Sequence, residues 1–191
     1  LKIIDINVEE KPTGEISAGA GIGTNGGSFA INVKESNWLG KGQSVNFEIE
    51  VDAESLGGVI TFSDPNYDFL GNSLNYSIAN ETNDKPDQGY ENTVTSLGVS
   101  TGFEQYQDLR VSLGVAASYD DLRTNGSATD ALKKQSGTFN EIAGNYGFSF
   151  DKRNRSFNPT DGSIISFGQS FPIHADKSSL SNLLSVNSYK T

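Results

Sequence analysis

The chain has 191 residues, with 14 Lys and Arg against 24 Asp and Glu for a formal net charge of −10. That length allows one or two domains, and the acidic balance excludes a nucleic-acid binder, which needs clustered cations to neutralise phosphates. No stretch approaches the run of about 18 apolar residues that a membrane-spanning helix requires, while the weaker alternation of a membrane β-barrel stays open.

Cysteine is absent, which removes disulfide scaffolds, thiolate catalysis and cysteine-ligated metals together. Methionine is absent too, and Leu1-Lys2-Ile3-Ile4 is neither an initiator start nor a charged-then-apolar signal segment. The expectation is a piece of a longer protein.

Lys2 to Val8 reads as a strand, and Glu9-Glu10-Lys11-Pro12-Thr13-Gly14 as a charged linker broken by Pro and Gly, which places a domain boundary near residue 13. From there apolar residues recur at every second position, the period of a strand. Val45, Phe47, Ile49 and Val51 alternate with Asn46, Glu48 and Glu50, and Leu109 through Tyr119 alternates in the same way with Arg110 through Ser118. The expected strands are 15–24, 27–36, 43–53, 55–64, 72–81, 90–104, 107–120, 138–151, 162–173 and 183–190. Ala128 to Gln135 is a possible short helix inside a long loop.

A soluble sandwich alternates as well. Strand lengths near 9–11 residues, aromatics at strand ends (Phe29, Phe62, Phe103, Tyr119, Phe150, Phe171) and asymmetric connections favour a transmembrane antiparallel β-barrel instead. Connections 37–42, 65–71, 104–107 and 152–161 form one end, and 24–27, 54, 82–89, 121–137 and 174–182 the other, which holds the longest Gly- and Ser-rich loops. On this pattern Val45, Phe47, Ile49, Val51, Leu113 and Val115 face lipid, whereas Lys34, Glu48, Glu50, Arg110 and Glu141 face the lumen as a charge network.

Three connections stand out: Asn37-Trp38-Leu39-Gly40-Lys41-Gly42, Asp64-Pro65-Asn66-Tyr67-Asp68-Phe69-Leu70-Gly71, and the run from Asp151 through Arg153, Phe157, Pro159, Thr160 and Asp161 to Gly162. Pro and Gly there fix reversals, and Trp38, Tyr67, Phe69 and Phe157 suit a membrane–water interface. Together the three resemble the turns after the second, fourth and eighth barrel strands of the BamA-type outer-membrane assembly-factor superfamily. The stretch Val8 to Gly14 similarly resembles the exit from a last periplasmic POTRA domain.

That resemblance implies an all-β fold, with residues 1–13 ending a POTRA domain and 14–191 forming the first nine or ten strands of a barrel of about sixteen. It further implies residence in the outer membrane of a Gram-negative bacterium with the N-terminus in the periplasm. The family's Arg-Gly-Phe/Tyr loop motif is not in the sequence and would fall beyond Thr191.

Other candidate chemistry reads as structural. Gly21-Ile22-Gly23-Thr24-Asn25-Gly26 matches a dinucleotide fingerprint in letters, but a strand pattern follows where a helix is needed. The single histidine, His174, has no nucleophile elbow or fellow ligands, so neither an enzyme, a metal nor a cofactor is expected. Glu48 and Glu50 share a face as paired carboxylates would, and the lumenal network accounts for them.

Glu15-Ile16-Ser17-Ala18-Gly19-Ala20-Gly21-Ile22-Gly23-Thr24 is different, since alternate glycines weaken a strand. Those glycines either make room in a crowded lumen or, as the resemblance implies, form a lateral gate where a client strand adds to a free edge. The favoured reading is a non-enzymatic insertase for outer-membrane proteins, working on unfolded barrel clients in the lipid bilayer with accessory periplasmic lipoproteins. A related polypeptide-translocating pore and a soluble β-rich adhesion or structural domain are the alternatives.

Overall fold

A computed structural model describes residue 9, residues 11–23 and residues 26–190. Thr24, and the strand expected over Lys2 to Val8, lie outside the described residues. Ten antiparallel strands form one sheet in chain order, from β1 (Gly14–Gly23), β2 (Gly26–Trp38), β3 (Gln43–Asp52), β4 (Ser55–Asp64) and β5 (Ser73–Lys85) onward. They continue as β6 (Tyr90–Tyr106), β7 (Leu109–Thr124), β8 (Gly137–Asp151), β9 (Asp161–Ala175) and β10 (Ser181–Lys190). A single helical turn, α1 (Asp130–Lys133), sits in the β7–β8 loop, capped by Thr129 through Leu132 N–H at 3.3 Å. No described helix is long and apolar enough to cross a membrane.

Several boundaries differ from those expected. β5 runs on to Lys85, β7 to Thr124 and β9 to Ala175, so the connections expected at 82–89 and 121–137 shrink to 86–89 and 125–136. Only the second of these is longer than the turns 65–72 and 152–160 at the opposite end, so loop length separates the two ends less than expected. The strand extensions are mostly polar and are held by the ladder and by cross-strand pairs such as the Thr82 and Thr93 hydroxyls at 3.0 Å.

The register shows why the sheet is a barrel wall. One cross-strand row runs Ile16, Val33, Phe47, Ile60, Ile78, Leu97, Ala117, Ile142, all on one face. Toward the β1–β2 hairpin this face stays apolar on the early strands, through Ala18, Ile31 and Ile49 and then Ala20, Phe29, Val51 and Leu56. The continuations of those rows on later strands turn polar around Tyr119: Asn80, Thr95, Tyr119 and Asn140, then Thr82, Thr93, Asp121 and Thr138. At the other end the pattern reverses, and the apolar rows are Val111, Phe148, Phe167 and Leu184, then Leu109, Phe150, Ile165 and Val186.

The apolar belt therefore slides by roughly one residue per strand across the sheet. A rise of about 3.3 Å for each step of about 4.8 Å between strands corresponds to strands tilted about 35° from the normal to the belt, the inclination of strands to the axis of a closed membrane barrel. Large apolar side chains are exposed along this belt, and only Val111, Ala128 and Ala143 are buried apolar residues among those described. Such a face is stable against hydrocarbon and not against water.

Phe47 and Leu113 fall near the middle of the belt on their strands. Replacing either with Arg in the full-length protein is expected to cost about 2–4 kcal/mol of folding free energy in lipid. Spin labels at both positions should report hydrocarbon, and a water-like signal would reverse the assignment of faces.

A hydrogen-bonded polar chain interrupts the belt on the last strands. Tyr146 OH donates to Gln169 Oε1 at 2.8 Å and Gln169 Nε2 to Asn182 Oδ1 at 2.6 Å, ringed by Phe148, Phe167 and Phe171. Sequential donation along this chain partners both ends of the Gln169 amide where hydrocarbon offers nothing.

Candidate functional site

β1 is an edge of the sheet and pairs through all ten of its residues with β2 alone. Thr13 extends the pairing, since its carbonyl accepts from Ser36 N–H at 3.1 Å and its hydroxyl bonds Glu35. Glu15, Ser17, Gly19, Gly21 and Gly23 point to the polar face, opposite Lys34, Asn32, Ala30, Ser28 and Gly26. Ile16, Ala18, Ala20 and Ile22 point outward, and every residue of β1 is exposed.

A Cβ added at Gly19 or Gly23 would meet nothing within 4 Å among the described residues, and one at Gly21 would meet only Ser28 Oγ at 3.0 Å. Crowding by the neighbouring strands therefore does not explain the first and third of these glycines. What the glycines do is leave a bare strand with little side-chain packing and high backbone freedom.

Among the described residues the polar face carries no charge network. Lys34, Glu48, Glu50, Arg110 and Glu141 share that face as expected, but none of the four described ion pairs joins any two of them. Arg110 lies rows away from Glu48 and Glu50 and instead bonds Ser73 Oγ at 3.1 Å and the Gly102 carbonyl at 3.4 Å. Toward the β1–β2 end Lys85 pairs instead with Glu54.

The three turns singled out in the sequence share a closure that sequence reasoning missed. Asn37 Oδ1 accepts Gly42 N–H at 2.7 Å, and Asn66 Oδ1 accepts Gly71 N–H at 2.6 Å. In the third, Asn154 Oδ1 accepts from Thr160 N–H at 3.2 Å and Asp161 N–H at 3.3 Å. The pattern Asn, aromatic, three residues, Gly at 37–42 and 66–71 was the available signal.

Asp64 caps its own turn through Asn66 N–H at 3.0 Å and takes Gln43 Nε2 at 2.7 Å. The third turn is clamped hardest: Arg153 reaches both Asp151 oxygens, at 2.8 and 2.6 Å, and Lys152 pairs with Asp108 at 3.0 Å. The Asp151 carboxylate holds the Arg153 guanidinium above its ordinary pKa, with a smaller contribution from Tyr189 on β10.

Gly21 and Gly23 lie in β1 and Gly26 opens the strand β2, so the helix terminus that would receive a phosphate is replaced by a strand. His174 is exposed opposite Ile142 at a bulge, near Asp176, whose carboxyl the Asn140 backbone N–H holds below its ordinary pKa. Among the described residues no three His, Asp or Glu side chains gather as a metal site.

An Omp85 superfamily domain matches residues 37–190. The chain belongs to the Omp85 superfamily. Outer membrane protein assembly factor BamA of Neorickettsia risticii (strain Illinois) is 27% identical over 177 residues, which is 88% of this chain and 23% of that relative. BamA from Haemophilus ducreyi, in a crystal structure lacking POTRA domains 1-3, shares the fold with a TM-score of 0.70 at 22% identity, over 88% of this chain and 36% of that one. The chain thus spans under a quarter of the curated relative, and within that span it is a ten-stranded section of a BamA-type outer-membrane barrel.

Proposed function

We propose that this chain forms part of an insertase that assembles client β-barrels into the outer membrane, acting without covalent chemistry. The observation that carries the reading is the β1 edge, a fully exposed strand with one partner and alternate glycines. Gly in a strand interior costs roughly 0.5–1 kcal/mol relative to Ala, so three of them make the seam at β1 cheap to open. An opened edge offers unpaired N–H and C=O groups at membrane depth, where a client strand gains backbone hydrogen bonds that lipid cannot supply.

The belt supports a second contribution. On β2 it is only Phe29, Ile31 and Val33, whereas on β7 it extends from Leu109 to Tyr119. A shorter apolar wall beside the seam draws the bilayer thin there and lowers the cost of passing polar backbone through it. In this reading residues 1–13 are the exit from a periplasmic domain, the N-terminus is periplasmic, and accessory lipoproteins bind outside this section.

The test is reconstitution of the full-length protein in liposomes, with the folding rate of a urea-unfolded barrel client as readout. The expected result is faster client insertion than in protein-free liposomes. An equal rate would sink the insertase reading.

A further inference from the structure

The Asn-closed turns all lie at one end of the sheet, and each holds a large apolar side chain out into the surroundings. Leu39 is 74% exposed, Phe69 89% and Phe157 88%. Leu39 and Phe69 do so from left-handed backbone, with φ 54° and 61°, a conformation that bulky residues avoid unless the surroundings impose it. The imposing groups are the Asn37 and Asn66 side chains, whose bonds to Gly42 and Gly71 close the turns from within. At the third tip Asn158 takes the left-handed conformation, φ 48°, beside Phe157.

Two tips also carry a cation without a carboxylate. Lys41 follows Leu39 by two residues and Arg155 precedes Phe157 by two, and neither is in an ion pair among the described residues. Arg155 gives its Nε–H to the Asn158 carbonyl at 2.7 Å, which fixes the guanidinium at the tip. By contrast, Lys152 and Arg153 in the same turn are both paired with aspartates.

We propose that these turns are a set of rigid lipid anchors that dock on the phospholipid headgroup layer of the leaflet at this end of the barrel. Leu39, Phe69 and Phe157 dip to the boundary between headgroups and acyl chains, and Lys41 and Arg155 meet lipid phosphates. Continuity names the occupant: Trp38 pairs with Gln43 on the outward face just beyond Val45, and Phe150 and Ile165 end the belt just before the third turn. At the first and third turns the charge fits as well, because unpaired cations beside apolar tips suit an anionic phospholipid surface, while Asp68 beside Phe69 is held inside its own turn by Leu70 N–H at 3.0 Å and by Asn72 Nδ2.

The experiment uses the full-length protein in vesicles of phosphatidylethanolamine and phosphatidylglycerol. Single cysteines are introduced by Leu39→Cys, Phe69→Cys and Phe157→Cys, and by Gly126→Cys in the opposite loop as an aqueous control. This chain has no cysteine of its own, and Leu70→Cys replaces any tip variant that fails to fold. Each carries a fluorophore tested against headgroup-labelled quenching lipid and aqueous iodide.

The tip labels are expected to be quenched several-fold more by the lipid, and less by iodide, than the Gly126 label. Lys41→Glu with Arg155→Glu should remove the dependence of that difference on phosphatidylglycerol. Iodide quenching equal to the control would overturn the proposal. So would protection that depends on the periplasmic domains and is indifferent to lipid composition, since a protein would then cover the tips.

Discussion

Gly162→Val is expected to stop the full-length barrel from assembling, read as loss of the heat-resistant gel mobility of a folded barrel. Gly162 has φ 94°, and a Cβ there would lie 2.1 Å from the Lys152 carbonyl oxygen and 2.9 Å from Arg153 Cα. Neither atom can yield. Lys152 N–H is bonded to the Ser163 carbonyl at 2.8 Å, and Arg153 is held by Asp151 through two side-chain bonds and its own N–H. Backbone strain and forced overpacking, at about 1–3 kcal/mol each, together remove about 3 kcal/mol or more.

Gly162→Ala should be nearly as damaging, because the β-carbon itself makes the collision. Pro159→Ala should cost only about 0.5–1 kcal/mol, through freedom regained by the unfolded chain. If Gly162→Ala folds with unchanged mobility and urea midpoint, the clamp described around this turn is wrong.

How much of this was legible depends on where a residue sits relative to the hydrocarbon. Inside the belt one face must be apolar, so Val45 to Val51 and Leu109 to Tyr119 announce both strand and orientation. Beyond the belt neither face is so constrained. Thr82 to Lys85 and Asp121 to Thr124 therefore read as loop although they are strand. Their pairing is to the neighbouring strand, Asp84 with Glu91 and Asp121 with Thr93, and leaves no period within the segment itself.

The irregularity opposite Ile142 and Ala143 did have a signal. Pro172 pairs with Ala143 beside that register shift, and a proline, which lacks an N–H, is tolerated in a ladder at such a bulge. The turns were legible as Pro and Gly reversals and as a resemblance, but the way they close was not. Their closing bonds are made by Asn side chains to backbone five to seven residues on, and an Asn followed by a distant Gly is too common in loops to mark such a bond. The lumenal charge network failed for a related reason: alternation fixes which face a charge takes, but its height depends on register, and that separates Arg110 from Glu48 and Glu50.

Sealing β1 is the change expected to affect function most. A cysteine replacing Ala18 or Ala20, both non-glycine and exposed on β1, would be disulfide-bonded to the residue opposite it on the last strand of the full-length barrel. Directly opposed residues on antiparallel strands have Cα atoms about 4.5–5.5 Å apart, within the span a disulfide accepts. The sealed protein should keep its folded mobility yet insert client barrels at least about tenfold more slowly, a barrier increase of only about 1.4 kcal/mol, and recover on reduction. A pore that exports polypeptide through its lumen would keep transporting with its seam closed, and a soluble adhesion domain would have no effect on any outer-membrane protein. Client insertion at the unsealed rate would remove the lateral gate altogether. The narrow belt at β2, and the thinned bilayer it implies, would then be the surviving account of how this wall lowers the barrier.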